Sequence, residues 1–360
     1  MRINFTLFGA GLTGGSFNII EPADRLARRG HDVSITSIGK PRDLNWFSMR
    51  GDPLFREIFT PLVGNFWYKT YRRVLKGTFL HPFPDVEIRD LIRSMPDCDV
   101  NIATAGPTTF AVHRSGKGRG FYYVQHYDSL FIPKPQALLH DETYYLPLKK
   151  IAVSSWIKNT VEEKLGTPFA GVITAGIDEK TFQPDSSLRP KNKIRILSLG
   201  RRIDWKGFLE LQSAMKNILA KYKNVEWTVF SSRDTPKPTK DIPFTLIKSP
   251  YGKDLARLYA SAHIVVNPSW HEGFAQPALE AMSCGAAVVT TPVGAEDFME
   301  DGENSLVVQP KDSKGIESAI AELIDDSALR DRISERGYEK SKNFHWDKII
   351  DKWEKILTQN

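Results

Sequence analysis

The 360-residue sequence contains only two cysteines, no apolar run long enough to span a bilayer and no internal repeat. Because Cys98 and Cys284 are far apart and have no neighbouring Cys/His pattern, we expect neither a disulfide framework nor a zinc site. Both are predicted to be small core residues. The start of the chain, MRINFTLFGAG, is too short and too glycine-rich for the apolar part of a signal peptide. These absences predict a protein of the reducing cytosol, without a transmembrane helix.

Positive charge is concentrated in the first half of the chain. Residues 1–175 contain 22 Lys and Arg against 16 Asp and Glu, a net charge of +6 that equals the net charge of the whole chain. The segment Phe66–Leu80 contains four cations, five large apolar or aromatic residues roughly on one helical face, and no acid. It is typical of a helix that contacts an anionic membrane surface. The alternative is a helix whose aromatic residues pack on the domain core while its charges are solvated.

The stretch His271–Thr291 carries two carboxylates eight positions apart, Glu272 and Glu280. An apolar run that ends near Pro268 precedes it, and the β-branched run AAVVTT closes it, which predicts two buried strands. The intervening PALEAMSC is rich in helix formers, with a proline suited to the first turn and a glycine that follows as a C-terminal cap. The pattern predicts strand, loop, helix and strand, as in a parallel α/β sheet.

The predicted elements give the two glutamates different surroundings. Glu272 falls in a loop at the carboxyl end of a strand, where open α/β sheets bind ligands. Gly273 would let backbone amides approach a ligand just ahead of a helix N-terminus, which favours anions. Glu280 falls about one turn into the helix. Because carboxylates accept hydrogen bonds from vicinal hydroxyls, the pair suits a sugar or ribose diol, whereas solvated surface acids are the alternative.

The motif E-G-F-x-x-P-x-L-E-A-M-x-x-G, with V-V-T-T after it, resembles the donor-site motif of family 4 retaining glycosyltransferases. The resemblance implies an α/β protein of the GT-B fold, in which two Rossmann-like doubly wound domains face each other across a cleft. It implies that Glu280 binds the ribose of a nucleotide and that Glu272 lies at the transferred sugar. It also implies that the amides around Gly273, Phe274 and Ala275 face the sugar and the diphosphate.

A second motif, GRRIDWKG at 200–207, follows the predicted strand Ile194–Leu199. Arg201 and Lys206 fall in a loop that opens a helix, where two cations can bind a diphosphate. The stretch matches the family pattern G-R-x-x-x-x-K-G, which implies that both residues bind the leaving nucleoside diphosphate. With two cations and no acidic cluster at a strand end, we expect no metal and no cofactor besides the nucleotide sugar. The D-x-D at Asp97–Asp99 precedes a strand, so we expect a loop there.

The glycines near the start of the chain leave other functions open. Gly9, Gly11 and Gly14 match G-x-G-x-x-G, the fingerprint of an NAD-dependent oxidoreductase. Such a unit requires an acid at the end of its second strand, and Thr36–Lys40 contains none. In a glycosyltransferase, the resemblance assigns Gly14 and Gly15 to the approach of the donor diphosphate and the acceptor. A non-catalytic module that binds nucleotide sugars is a further alternative.

The remaining predictions concern the first domain and the domain boundaries. His126 follows a predicted strand, and the resemblance places a histidine of this loop near the hydroxyls of the donor sugar. We expect a strand over Ile151–Ser155. The first domain is predicted over 1–177 and the second over 193–343, with a helix at 344–360 packing back on the first.

These patterns together predict the transfer of a sugar from a nucleotide-diphosphate sugar to a hydroxyl acceptor, with retention of the anomeric configuration. The acceptor would be a glycan, a lipid-linked glycan or a small molecule, and nucleic acid is not expected as a partner. The basic first half predicts an anionic acceptor or an anionic membrane, so the protein would be cytoplasmic and peripheral at the inner face of the membrane.

Overall fold

The computed structural model describes residues 1–7, 14–38, 54–58, 85–132, 134–231 and 236–359. They divide into two compact units. The first comprises the described residues up to Val153, the segment Ile157–Ile173 and the residues from Ile350 onward. The second comprises Ser154–Trp156 and Thr174–Ile349. Within the described ranges, no helix is long and apolar enough to cross a membrane.

The first unit is built on a parallel sheet. Its described strands are β1 (Arg2–Leu7), β2 (Asp32–Ile38), β3 (Leu54–Ile58), β4 (Val100–Ala103), β5 (Arg119–Val124), β6 (Lys149–Ala152) and β7 (Gly171–Val172). They are ordered β3-β2-β1-β4-β5-β6-β7. Strands β1 and β4 are buried along almost their whole length because a parallel sheet is covered on both faces.

Within the described ranges, a helix follows β1 and each of β3 to β6. These helices are α1 (Gly14–Arg28), α2 (Asp85–Ser94), α3 (Gly106–Ser115), α4 (Lys134–Asp141) and α5 (Ser155–Leu165). The last described helix, α11 (Trp346–Thr358), brings the indole of Trp353 into the core of the first unit. Its ring lies 5.8 Å from that of Phe5 and 4.9 Å from that of Tyr123, centroid to centroid. This buried aromatic contact explains why the end of the chain belongs to the first unit.

The second unit repeats the architecture. Its described strands are β8 (Ile194–Leu199), β9 (Val225–Ser231), β10 (Thr245–Lys248), β11 (Ile264–Asn267), β12 (Ala287–Thr290) and β13 (Leu306–Val307). They form a parallel sheet in the order β10-β9-β8-β11-β12-β13. The intervening helices are α6 (Phe208–Lys221), α7 (Lys253–Ala260), α8 (Gln276–Ser283), α9 (Ser313–Asp325) and α10 (Ser327–Ser341). Their apolar faces cover a core that includes Ile196, Trp227 and Val289.

Within the described ranges, local predictions agree with these elements except near Ser155. The predicted strand Ile151–Ser155 ends at Ala152 in the structure, and Ser155 begins α5 instead. Cys98 and Cys284 are both buried and unpaired, as expected of small core residues. The start of α5 at Ser155 depends on a hydrogen-bond partner that is distant in the sequence.

Candidate functional site

The second sheet reverses its winding between β8 and β11. From this point the chain proceeds to β9 and β10 on one side and to β12 and β13 on the other. Ligands of open parallel sheets bind outside the carboxyl ends of the strands at such a switch point, because the two loops there diverge. The loops that leave β8 and β11 at this edge carry Arg201, Lys206 and Glu272.

Close backbone packing holds these two loops together. The loop after β8 makes a helical turn at Asp204–Lys206 that ends at Gly207, whose φ is 65°. A Cβ atom at Gly207 would overlap the carbonyl oxygen of Pro268 in the other loop. The amide of Trp270 donates to the carbonyl oxygen of Trp205, with a nitrogen–oxygen distance of 2.7 Å. Glycine is therefore required at position 207 both by the left-handed backbone and by the space available.

An ion pair connects the two loops at their side chains. The Nζ atom of Lys206 lies 2.6 Å from Oε1 of Glu272, and the side chains are only 16% and 7% exposed. Arg201, on the same loop as Lys206, makes no hydrogen bond or ion pair with the described residues, and its Nε is buried. The site thus combines one neutralised cation with one cation that has no anionic partner among the described residues. That charge arrangement suits an anionic ligand.

The loop after β12 completes the surroundings of Glu272. Gly294 has a φ of 71°, and a Cβ atom there would lie 2.9 Å from the Cβ of Glu272. The carbonyl oxygen of Gly294 accepts a hydrogen bond from the amide of Ala275, at 2.8 Å. The amide of Ala275 is therefore engaged within the protein. Within the described part of the chain, the amides of Gly273 and Phe274 donate to no protein acceptor.

The side chain of Phe274 belongs to the core. It is 7% exposed. Its ring centroid lies 5.5 Å from that of Phe298 and 6.5 Å from that of Phe344. Any ligand contact at this position would come from the backbone, because the ring is already packed.

Glu280 lies within α8, the helix that follows the loop of Glu272, and its side chain is partly buried. Burial raises the pKa of the Glu280 carboxyl to about 7, although hydrogen bonding with Gln276 and Tyr259 acts in the opposite direction. The Nε2 atom of Gln276 lies 3.3 Å from Oε1 of Glu280. The carboxyl therefore exchanges its proton near neutral pH, where an ordinary glutamate is fully ionised.

Two serines that sequence reasoning did not select bond to the segments that follow β11 and β12. The Oγ of Ser154 donates to the carbonyl oxygen of Gly273 at 2.6 Å. The amide and Oγ of Ser155 donate to the carboxylate of Asp297 at 2.9 and 2.5 Å. Serine is a favoured residue at helix N-termini, and this preference was the available signal for a helix start here. The partners lie more than 100 positions away, so the sequence carried no indication of them.

The other predicted site residues lie in the first unit. Gly14 begins α1, and a Cβ atom there would meet nothing within 4 Å. Gly15, next to it, is partly exposed. His126 is exposed in the loop after β5, and its carbonyl oxygen accepts a hydrogen bond from the hydroxyl of Tyr144 at 3.3 Å. Three further predictions lie outside the described residues: Gly9, Gly11 and the segment Phe66–Leu80.

Within the described ranges, no group of three or more His, Cys, Asp or Glu side chains could hold a metal ion. The D-x-D at Asp97–Asp99 is a loop, as predicted. The Asp99 carboxylate there accepts from the amide of Arg2 at 2.8 Å and lies 2.7 Å from its guanidinium. This D-x-D therefore contributes to the packing of β1 against β4.

Comparison with solved structures identifies the fold. Sucrose-phosphate synthase from Thermosynechococcus elongatus superposes with a TM-score of 0.79 at 16% identity, over 99% of this chain and 98% of that one. HepE of Anabaena, in complex with UDP and glucose, superposes with a TM-score of 0.77 at 16% identity, over the whole of both chains. The fold is GT-B, as the sequence motifs predicted. At this level of identity, these similarities establish the fold alone.

Sequence comparison supports the predicted resemblance to glycosyltransferases. Residues 193–326 match the family model described as "Glycosyl transferases group 1". The capsular polysaccharide biosynthesis glycosyltransferase CapM of Staphylococcus aureus is 29% identical over 229 residues, which are 57% of this chain and 59% of CapM. The O-antigen chain mannosyltransferase B of Escherichia coli is 39% identical over 95 residues, 26% of this chain and 25% of that protein. The chain thus spans about six tenths or less of these curated relatives. The predicted resemblance to family 4-like glycosyltransferases of the GT-B fold is confirmed.

Proposed function

We propose that this protein is a glycosyltransferase that moves a sugar from a nucleotide-diphosphate sugar to a hydroxyl acceptor, with retention of configuration. The observation that carries the proposal is the group formed by Arg201, Lys206 and Glu272 at the switch point of the second sheet. Such an edge is where parallel α/β sheets bind nucleotides, and two cations there suit a diphosphate. The similarity to glycosyltransferases, and to HepE in complex with UDP, supports this choice.

Arg201 and Lys206 would bind the diphosphate of the donor. As the bond to the sugar breaks, negative charge develops on the diphosphate, and cations placed in advance stabilise that charge. In the ligand-free site Lys206 is paired with Glu272, at 2.6 Å. The diphosphate would therefore replace this carboxylate at Lys206, leaving Glu272 free to accept hydrogen bonds from the transferred sugar.

The remaining groups would orient the donor. Glu280 would accept hydrogen bonds from the ribose hydroxyls, and the amides of Gly273 and Phe274 would contact the sugar or diphosphate. Gly14 would allow close backbone approach, together with Gly15. The exposed imidazole of His126 would contact hydroxyls of the donor sugar.

Retention follows from the proposed chemistry. In this proposal no side chain acts as a covalent nucleophile, and retention then requires that the acceptor hydroxyl attack from the face that the diphosphate leaves. The bond from the anomeric carbon to the acceptor oxygen forms as its bond to the diphosphate oxygen breaks, and the departing diphosphate takes the acceptor proton. With Arg201 and Lys206 supplying the positive charge, the reaction would need no divalent metal.

The acceptor is proposed to be an anionic or lipid-linked glycan. The net charge of +6 in residues 1–175 favours an anionic partner, and Phe66–Leu80 adds four cations and no acid. Relatives include proteins of capsular polysaccharide and lipopolysaccharide core biosynthesis. A cytoplasmic enzyme held at the inner face of the membrane by this segment would reach such an acceptor. Each basic residue near an anionic leaflet contributes about 1 kcal/mol, which salt screens.

Ligand screening tests the proposal first. Thermal unfolding would be followed with UDP, GDP, ADP and NAD, and then donor hydrolysis and transfer would be measured with sugars of the nucleotide that stabilises the protein. Stabilisation by NAD alone would favour the oxidoreductase alternative and refute the transferase. Stabilisation by a nucleoside diphosphate without hydrolysis or transfer would favour the non-catalytic binding module.

Substitutions then test the assigned cations. Arg201→Ala and Lys206→Ala should each lower kcat by about 100-fold or more, as loss of a group that stabilises transition-state charge does. Exposed residues of the same unit provide matched controls, Arg332→Ala and Lys216→Ala. Wild-type turnover in both site variants would show that the assignment is wrong.

Vesicle sedimentation tests the membrane contact separately. Wild type should pellet with anionic vesicles at low salt, and less with neutral vesicles or at high salt. Replacing the four basic residues of the segment by Gln should abolish pelleting; they are Lys69, Arg72, Arg73 and Lys76. If wild type stays in the supernatant with anionic vesicles, the membrane proposal fails. If the quadruple variant pellets like wild type, Phe66–Leu80 is not the contact.

A further inference from the structure

The carboxylate of Glu280 is contacted from two elements. Tyr259, on α7, is 1% exposed, and its hydroxyl lies beside this carboxylate, near enough that each group alters the pKa of the other. Gln276, one turn earlier on α8, places its Nε2 atom 3.3 Å from Oε1 of Glu280. The same Nε2 atom donates to the carbonyl oxygen of Gly176, at 3.1 Å. The carboxylate is therefore restrained by groups that are themselves held in place.

Aromatic packing fixes Tyr259. Its ring centroid lies 6.3 Å from that of Phe182 and 5.7 Å from that of Phe230. A fully buried ring between two others cannot move its hydroxyl without opening the core. The hydroxyl therefore acts as a fixed point for the Glu280 side chain, whose free rotation would otherwise have to be restricted when a ligand binds.

We propose that Tyr259 and Gln276 are positioning residues, which hold the Glu280 carboxylate in the one orientation that accepts both ribose hydroxyls of the donor nucleotide. Two vicinal hydroxyls require two acceptor directions at once, so the orientation of the carboxylate matters as much as its presence. The inference rests on the proposed function, in which Glu280 binds the ribose.

If Tyr259 and Gln276 had only a structural role, they would not affect ligand binding. A buried tyrosine hydroxyl requires a hydrogen-bond partner, and Glu280 could be that partner only for stability. The two roles differ in one measurable respect. A positioning role alters the preference for ribose over 2′-deoxyribose, whereas a structural role alters only the stability of the protein.

The test uses Tyr259→Phe and Gln276→Leu, each of which removes one contact to Glu280 and keeps the side-chain size nearly unchanged. The control is Tyr222→Phe, which removes a tyrosine–carboxylate hydrogen bond elsewhere in the second unit, to Asp325 at 2.7 Å. Affinities would be measured by calorimetry for UDP, GDP and ADP, each beside its 2′-deoxy analogue, and folding checked by circular dichroism and Tm.

Wild type should prefer one ribonucleotide over its 2′-deoxy analogue by about tenfold or more, the equivalent of one good hydrogen bond. In Tyr259→Phe and Gln276→Leu this ratio should fall at least threefold, with affinity for the 2′-deoxy nucleotide nearly unchanged, while Tyr222→Phe keeps the wild-type ratio. If one variant does not fold, the affinity ratio of the other variant tests the inference.

Two results would overturn the inference. An unchanged ribose preference in folded variants rejects the positioning role while leaving the proposed function intact. Failure of wild type to bind any of the three nucleotides rejects the proposed function, and the inference with it.

Discussion

The stability of the second unit should depend on pH through Glu280. Burial raises the pKa of this carboxyl from its ordinary 4.5 to about 7 in the folded protein. Between about pH 4.5 and pH 7, Glu280 therefore holds a proton more tightly in the folded protein than in the unfolded chain. A group with a raised folded pKa contributes stability that is fully present below its unfolded pKa and is lost as pH rises through its folded pKa. The free energy of unfolding should thus fall between about pH 4.5 and pH 7.

The magnitude follows from the two pKa values. One pH unit corresponds to about 1.4 kcal/mol, so a rise from 4.5 to about 7 sets an upper limit of about 3 kcal/mol. The side chain is partly exposed, and solvent screening lowers the value, so we expect about 1–2 kcal/mol. Glu280→Gln keeps the shape and cannot ionise. Relative to wild type, the variant should become more stable by this amount on moving from pH 4.5 to pH 8.

Scanning calorimetry would resolve the unfolding of the second unit at pH 5 and at pH 8 in wild type and Glu280→Gln. The control, Glu335→Gln, changes an exposed glutamate of the same unit. A difference between wild type and Glu280→Gln that is the same at both pH values would refute the reasoning. Nucleotide binding should show the opposite dependence in wild type, with affinity rising as Glu280 ionises toward pH 8.

Three other outcomes are expected. Lys206→Met should lower the free energy of unfolding by about 3 kcal/mol, because it leaves Glu272 buried without its partner. In urea denaturation, adding Glu272→Gln to Lys206→Met should restore part of the lost stability, and a double variant no more stable than Lys206→Met would contradict the prediction. Gly207→Ala should lower the free energy of unfolding by about 1–3 kcal/mol in the same assay, because the backbone there is left-handed and a Cβ atom would overlap the carbonyl oxygen of Pro268. A variant as stable as wild type would disprove the packing argument. Transfer should continue in EDTA, and activity that is lost and then restored by Mg²⁺ or Mn²⁺ would refute the metal-independent mechanism.

The sequence by itself determined the order of the elements and the edge of the sheet at which the candidate site lies. The strand Ile194–Leu199 appears where it was predicted, and the helix that begins at Trp346 lies within the predicted helical range 344–360. Such patterns are local, because buried strands and amphipathic helices need only the right side chains at the right spacing. Loops at the carboxyl ends of adjacent parallel strands must then meet. Arg201, Lys206 and Glu272 could therefore be predicted from the sequence alone.

Tertiary structure decided which groups in those loops remain available to a ligand. The amide of Ala275 is engaged by Gly294, and the ring of Phe274 is packed in the core, although the motif treats both positions as part of the donor site. Helix α5 begins at Ser155 because Asp297, 142 positions later, accepts from its amide and hydroxyl. Hydrogen-bond partners so distant in sequence leave no local pattern.

At Glu280, too, some properties follow from the sequence and others only from the tertiary structure. Its place on a helix after a strand-end loop was evident from the sequence, and so was its suitability for a diol. Its raised pKa and its proximity to the hydroxyl of Tyr259 depend on how α7 and α8 pack together. Local sequence specifies which chemical groups are present and roughly where, whereas burial and distant partners set their protonation and orientation, because both arise only when separate elements come into contact.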